Sequence, residues 1–210
     1  MRNLLFNKDF EGIKEALSEN ALRANQTISL DDTNTTKAHP LHRICDGVFL
    51  GKYTDEDAVR MATLFLDYGA KIDGNQLIEK QDTPLIAASS LHADQLAIFY
   101  IEKGANMHHA GTHGGTALHW AAWCGRHKVV SRLVKEGAEI NKQCIDFEAT
   151  PLFWTIHGLK RGINKNRKDY LECVKILIDA GADKNIPNKE GKTVFDLLHD
   201  GDLDFKERLN

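Results

Sequence analysis

Apolar residues in this chain gather in short, helically spaced clusters separated by polar, glycine-bearing breaks, and the clusters return at a nearly fixed interval. In the segment from Thr116 to Asn141, Val129, Val130, Leu133 and Val134 recur at the spacing of one helical face, which predicts an amphipathic helix with a buried stripe. A first, shorter helix is predicted ahead of it. Thr before Pro or Ala, as in Thr83-Pro84, Thr116-Ala117 and Thr150-Pro151, suits a helix start. The hydroxyl accepts from an otherwise unpaired backbone N–H, and Pro lacks the N–H that would go unmet. The small pairs Ala87-Ala88 and Ala121-Ala122 let neighbouring helices approach closely. Gly137 then predicts a left-handed stop to the longer helix, with Gly69, Gly104 and Gly181 in the same role.

The interval itself is informative. Thr83 to Thr116 is 33 residues and Thr116 to Thr150 is 34, a period at which each unit cannot bury its apolar face alone, so a solenoid of stacked units is predicted. Two intervals are longer. His39 to Thr83 is 44 residues and Thr150 to Thr193 is 43, about ten beyond one unit, and most of the excess falls at 48–57 and 159–169. These read as loops between two helices, or as a first helix extended by a turn or two.

The elements His39-Pro40-Leu41-His42, Thr83-Pro84-Leu85, Thr116-Ala117-Leu118-His119 and Thr150-Pro151-Leu152 alternate with Gly-Ala pairs at 69, 104, 137 and 181, and together they resemble the ankyrin repeat. The resemblance implies an all-α solenoid of stacked helix-turn-helix units joined by short β-hairpin loops. It divides the chain as one domain into an N-terminal cap (1–35), repeats at 36–73, 74–108, 109–141 and 142–185, and a C-terminal repeat or cap (186–210). Two departures stand out: Leu91 where the pattern places Gly after the first helix, and Phe153-Trp154-Thr155-Ile156 in place of its His and small residues. His42 and His119 take a histidine position that is structural in the family, and Asn141 and Asn185 resemble its hairpin-bracing Asn.

The resemblance also implies that a partner protein is bound along the concave side, by hairpin tips and by the variable positions after the Ala-Ala pair. Carried over repeat by repeat, these give Lys80, Ser89 and Ser90, then His109, Thr112, His113 and Trp123, then Asp146, Phe147 and His157, with Arg161 in the second insertion. Trp123 and Phe147 are the expected anchors. The bland reading of Trp123 is that it folds onto the neighbouring first helix.

Composition narrows the classes. The chain is 42% hydrophobic and 27% charged with a formal charge of −3, which gives no general attraction to nucleic acid. No run of eighteen apolar residues is present and the first residues lack a secretory apolar core, so a cytoplasmic protein with no membrane contact is expected. Cys45, Cys124, Cys144 and Cys173 form no C-x-x-C pair. Nucleophile-elbow, phosphate-loop and H-E-x-x-H motifs are absent, and Cys124 with His127 is the one pair of catalytic type, without a pocket implied. A non-catalytic, monomeric protein-binding module without cofactor or metal is therefore expected, masking or regulating its partner. Alternatives are a scaffold or host-directed effector, an anionic-ligand binder using the basic run 160–168, and a metal-dependent binder using His108, His109 and His113.

Overall fold

The computed structural model describes residues 1–33, 36–162 and 164–209. Asn34 and Thr35 of the expected cap, Ile163 of the second insertion and Asn210 lie outside the described residues. The helices are α1 (Arg2–Phe6), α2 (Phe10–Glu19), α3 (Pro40–Phe49), α4 (Asp55–Asp67), α5 (Pro84–Ser90) and α6 (Asp94–Glu102), then α7 (Ala117–Trp123), α8 (His127–Lys135), α9 (Pro151–Arg161), α10 (Arg167–Asp179) and α11 (Leu203–Leu209). Short 3₁₀ turns span Ala21–Asn25, Thr112–Gly114 and Val194–Leu197. Strands β1 (Ile28–Ser29) and β2 (Lys37–Ala38) pair antiparallel across the boundary between the expected cap (1–35) and the first repeat. The later hairpin loops close on a few backbone hydrogen bonds, such as Cys144 N–H to Ala149 O and Glu148 N–H to Cys144 O, both at 3.0 Å.

The helix starts are where the Thr residues put them. Thr83 accepts from the N–H of Ile86 and Thr150 from that of Phe153, each followed by Pro at the first helical position. His39 does the same for α3 through its ring, accepting from Leu41 N–H. Gly137 ends α8 at φ 89°, a left-handed conformation that glycine adopts without the strain a side chain brings. The left-handed residue after α5 is His92 at φ 61°, not Leu91, so the missing glycine of that repeat lies one residue later than the sequence reading placed it.

Residues 1–77 with 83–106 form one compact group, and 78–82 with 107–210 another. In the first group α3 packs on α4 and α5, and α4 on α6, with α2 against α4. Leu41, Ile44, Met61, Phe65 and Tyr100 are fully buried there, and the Tyr100 hydroxyl donates to Leu41 O at 2.8 Å. In the second group α7 packs on α8 and α9, and α8 on α10, which also contacts α9 and α11. Val129, Val130 and Leu133 are buried as the stripe requires, while Val134 is half-exposed at its edge. The closest approach is at Gly158, where a β-carbon would sit 2.1 Å from the carbonyl oxygen of Trp123, so only glycine lets α9 lie this near α7.

The two long intervals become helix rather than loop. α3 and α9 have 10 and 11 residues against 7 in α5 and α7, and α4 and α10 have 13 against 9 in α6 and α8. One added turn at the end of each first helix and the start of each second absorbs most of the excess. A tyrosine fills each junction: Tyr53 donates to Ile44 O and Tyr170 to Trp123 O, both at 3.1 Å.

Candidate functional site

The second group carries an open groove of about 650 Å³ floored by aromatic rings. Its centre is Trp154 on α9, which stands edge-on to Trp120 (5.2 Å between centroids, 82°) and Trp123 (6.0 Å, 74°) of α7. Such perpendicular arrangements set a ring's positive edge against a neighbour's negative face. Trp123 also meets His157 edge-on at 4.9 Å, so it leans on the neighbouring first helix and lines the groove as well. Phe147, at the tip of its hairpin and 46% exposed, lies 6.5 Å from Trp154 and 5.1 Å from His113. The far wall comes from the C-terminal loops: Asn188, Glu190, Lys192, Asp196 and His199.

Ion pairs hold the hairpin tips. The Asp146 carboxylate accepts from Lys80 at 2.6 Å and from His113 at 3.1 Å, joining three successive tips. Hydrogen bonding from Lys80, then from His113, holds the Asp146 carboxyl below the usual carboxylate range, and the same bond raises Lys80. Backbone rungs run alongside: Lys80 N–H to Ala110 O, Asp146 N–H to His113 O, and Lys189 N–H to Phe147 O. His113 and Lys80 both occupy left-handed conformations, φ 60° and 62°, which the rungs and ion pairs fix in place.

Behind the groove, His119 is fully buried. Its Nδ1 accepts from Thr116 N–H at 3.1 Å, so Nε2 carries the proton and donates toward Lys142 O and Ala149 O at 3.1 and 3.2 Å. Burial lowers its pKa to about 4 and keeps the ring neutral. The family's structural histidine role is thus met in full at this position. Asn141 likewise braces the next hairpin, accepting from Asp183 N–H and donating to Gly181 O. In the first group Asn25 does the same for Lys71 N–H and Gly69 O.

Of the residues marked from sequence, His113, Trp123, Phe147, His157 and Arg161 line the groove, and Lys80 and Asp146 brace its tips. Thr112 and His109 are engaged elsewhere: Thr112 N–H donates to Asp82 and His109 Nε2 faces Gln81 O at 2.9 Å. Ser90 belongs to the first group and donates to Ala87 O, while Ser89 is fully buried against Leu85 O and is no surface position. The three histidines of the metal alternative go to separate partners, His108 to Glu139, His109 to Gln81 and His113 to Asp146. Among the described residues no group of three metal-ligating side chains forms. His127 faces Asp169 at 3.5 Å.

Two cations of the basic run 160–168 are answered from within. Lys160 and Arg167 both pair with Asp202, and Arg167 also pairs with Asp204. Burial alone would raise the Asp202 carboxyl, but Lys160, the His199 N–H and Arg167 bring it down to about 2. Lys165 donates to Gly162 O. Arg161 is exposed and has no acidic partner among the described residues.

Sequence reading missed Trp154 as the centre of the groove and the whole C-terminal wall. The signal for the first was present in the bulky replacement at 153–156, read as packing alone. The wall had none, because its loops meet α9 only through the fold.

A profile of ankyrin repeats in three copies matches residues 52–144, and a single ankyrin-repeat profile matches 148–189, together well over half of the chain. The chain belongs to the ankyrin-repeat family. Its fold is accordingly an all-α ankyrin solenoid, and ankyrin repeats generally mediate protein–protein interaction. Similar curated proteins include mouse NF-kappa-B inhibitor delta, 28% identical over 130 residues that make up 56% of this chain and 40% of that protein. Mouse ankyrin repeat and SOCS box protein 6 is 31% identical over 116 residues, 55% of this chain and 25% of that protein. Mouse protein phosphatase 1 regulatory subunit 12A is 33% identical over 106 residues, 50% of this chain and 9% of that protein. The matched stretch is therefore a minor part of each of these relatives. Among the described residues no helix is long and apolar enough to cross a membrane.

Proposed function

We propose that this ankyrin-repeat protein is a non-catalytic binding module that takes one partner protein against the aromatic groove of its second group and masks or regulates it. The observation that carries this reading is the cluster of Trp120, Trp123, Trp154 and Phe147 in one open concavity, with Phe147 nearly half exposed at its tip. Large aromatic side chains on a rigid concave surface are the residues that dominate binding energy at protein interfaces. Two similar proteins bear regulatory names, an inhibitor and a regulatory subunit, which supports a masking or regulating role. In this reading the protein acts as a monomer in the cytoplasm, without cofactor, metal or nucleic acid.

The test is capture from native lysate by the wild-type chain beside a Trp123→Ala, Phe147→Ala double variant whose circular dichroism is unchanged. Loss of a retained protein from the variant, by at least tenfold, supports the groove as the site. Equal retention by both chains refutes it.

A further inference from the structure

Resting on the groove reading above, we infer that the partner presents an extended acidic segment in which an apolar side chain is followed or preceded, three residues away, by a carboxylate. The spacing comes from α9. Trp154, His157 and Arg161 stand at i, i+3 and i+7 and so share one helix face. Trp154 to Arg161 spans about 10 Å at about 1.5 Å per helical residue. An extended chain covers that distance in about three residues at about 3.3 Å each.

The charge around the groove sets the sign of the partner. Of its two lining carboxylates, both on the C-terminal wall, Glu190 pairs with Lys192 at 2.7 Å, while Asp196 keeps its charge, held within its own turn by the Thr193 N–H at 2.7 Å and hydroxyl at 2.9 Å. α9 itself carries no acid, and Asp202, which pairs with its Lys160 and with Arg167, is 3% exposed. What faces the open space uncommitted on this side is the Arg161 guanidinium, with the His157 imidazole one turn before it on the same helix. A cationic segment would meet like charge there, whereas a carboxylate gains a planar fork of donors suited to it. The aromatic floor supplies the seat for the apolar side chain, and Arg161 fixes the register.

Selection of random peptides displayed on phage against the full chain, followed by fluorescence anisotropy of the selected peptides, tests this. Enriched sequences are expected to carry Asp or Glu three residues from a leucine, isoleucine or aromatic residue. Binding is expected to weaken about tenfold in Arg161→Gln and to fall steeply with added salt. Arg161 is exposed, so this variant keeps the fold. An Arg161→Glu variant is expected to prefer the same peptide with Lys in place of its acid, a reversal that no structural defect produces. Groove-dependent peptides, lost in Trp123→Ala, that lack the acid or carry Lys or Arg in its place overturn the inference and leave the groove reading standing. Peptides insensitive to Trp123→Ala, or no enrichment at all, overturn both.

Discussion

At the scale of single residues, His119 ties the start of α7 to the hairpin that follows by accepting from Thr116 N–H and donating to two carbonyls. Its folded pKa of about 4 lies below the value of 6.5 that it has when free in water. The unfolded chain therefore binds the proton more readily. The stability that the neutral ring contributes is complete above about pH 6.5 and is lost as the pH falls toward 4, by up to about 3 kcal/mol. His39, buried and lowered to about 4 as well, acts with the same sign. Urea unfolding at pH 7 and pH 4.5 is expected to show a smaller acid-induced loss in His119→Gln than in the wild type, on top of a lower stability at pH 7. An identical loss in both would remove His119 from the account. The helix-start part of this role was legible in the sequence because it is local, acting between Thr116 and His119 three positions apart, and the reach to the next hairpin was legible because it recurs with the repeat. Trp154 was not, because its importance comes from Trp120 and Trp123 on another helix, and His92 was missed because a left-handed histidine carries no signal that glycine would.

At the scale of elements, the long intervals show how a repeat absorbs extra residues without a disordered loop. α9 and α10 each gain about a turn over α7 and α8, and the added turns bring Lys160 and Arg167 to the Asp202 carboxylate at the head of α11. Asp202 thus fastens the C-terminal helix to the pair before it, while Arg167 also covers the Phe205 ring at 4.7 Å. Losing the charge-assisted bonds of the buried carboxylate is expected to cost about 2 kcal/mol, since the cations left behind are partly exposed. Asp202→Asn is expected to lower the thermal midpoint and to speed amide exchange in 203–209 ahead of the rest of the chain. Exchange that rises uniformly, or not at all, would deny the cap its fastening role. The basic composition of 160–168 was plain from sequence, but the pairing of Lys160 and Arg167 was not, since the acids they meet lie 35 to 42 residues further on. The helices themselves were legible from apolar spacing and the Gly stops, whereas the β1–β2 pair joining the cap to the first repeat has only two residues per strand and leaves no periodic trace.

At the scale of the whole molecule, two features meet in the second group: a rigid stack of helices and hairpin tips locked by Asp146, and a concave aromatic floor with one uncommitted cation at its edge. Rigidity matters because a surface already held in its bound form loses little freedom when a partner arrives. The family was legible in the chain's own period, and the groove was half legible: its α7 and tip residues follow the repeat, while its C-terminal wall does not. The claim that this concavity is the binding face is tested most directly by amide hydrogen exchange on the protein alone and in complex with the captured partner. Protection is expected over 112–124, 146–161 and 188–199. Protection confined to 1–106, with those three stretches unchanged, would contradict it.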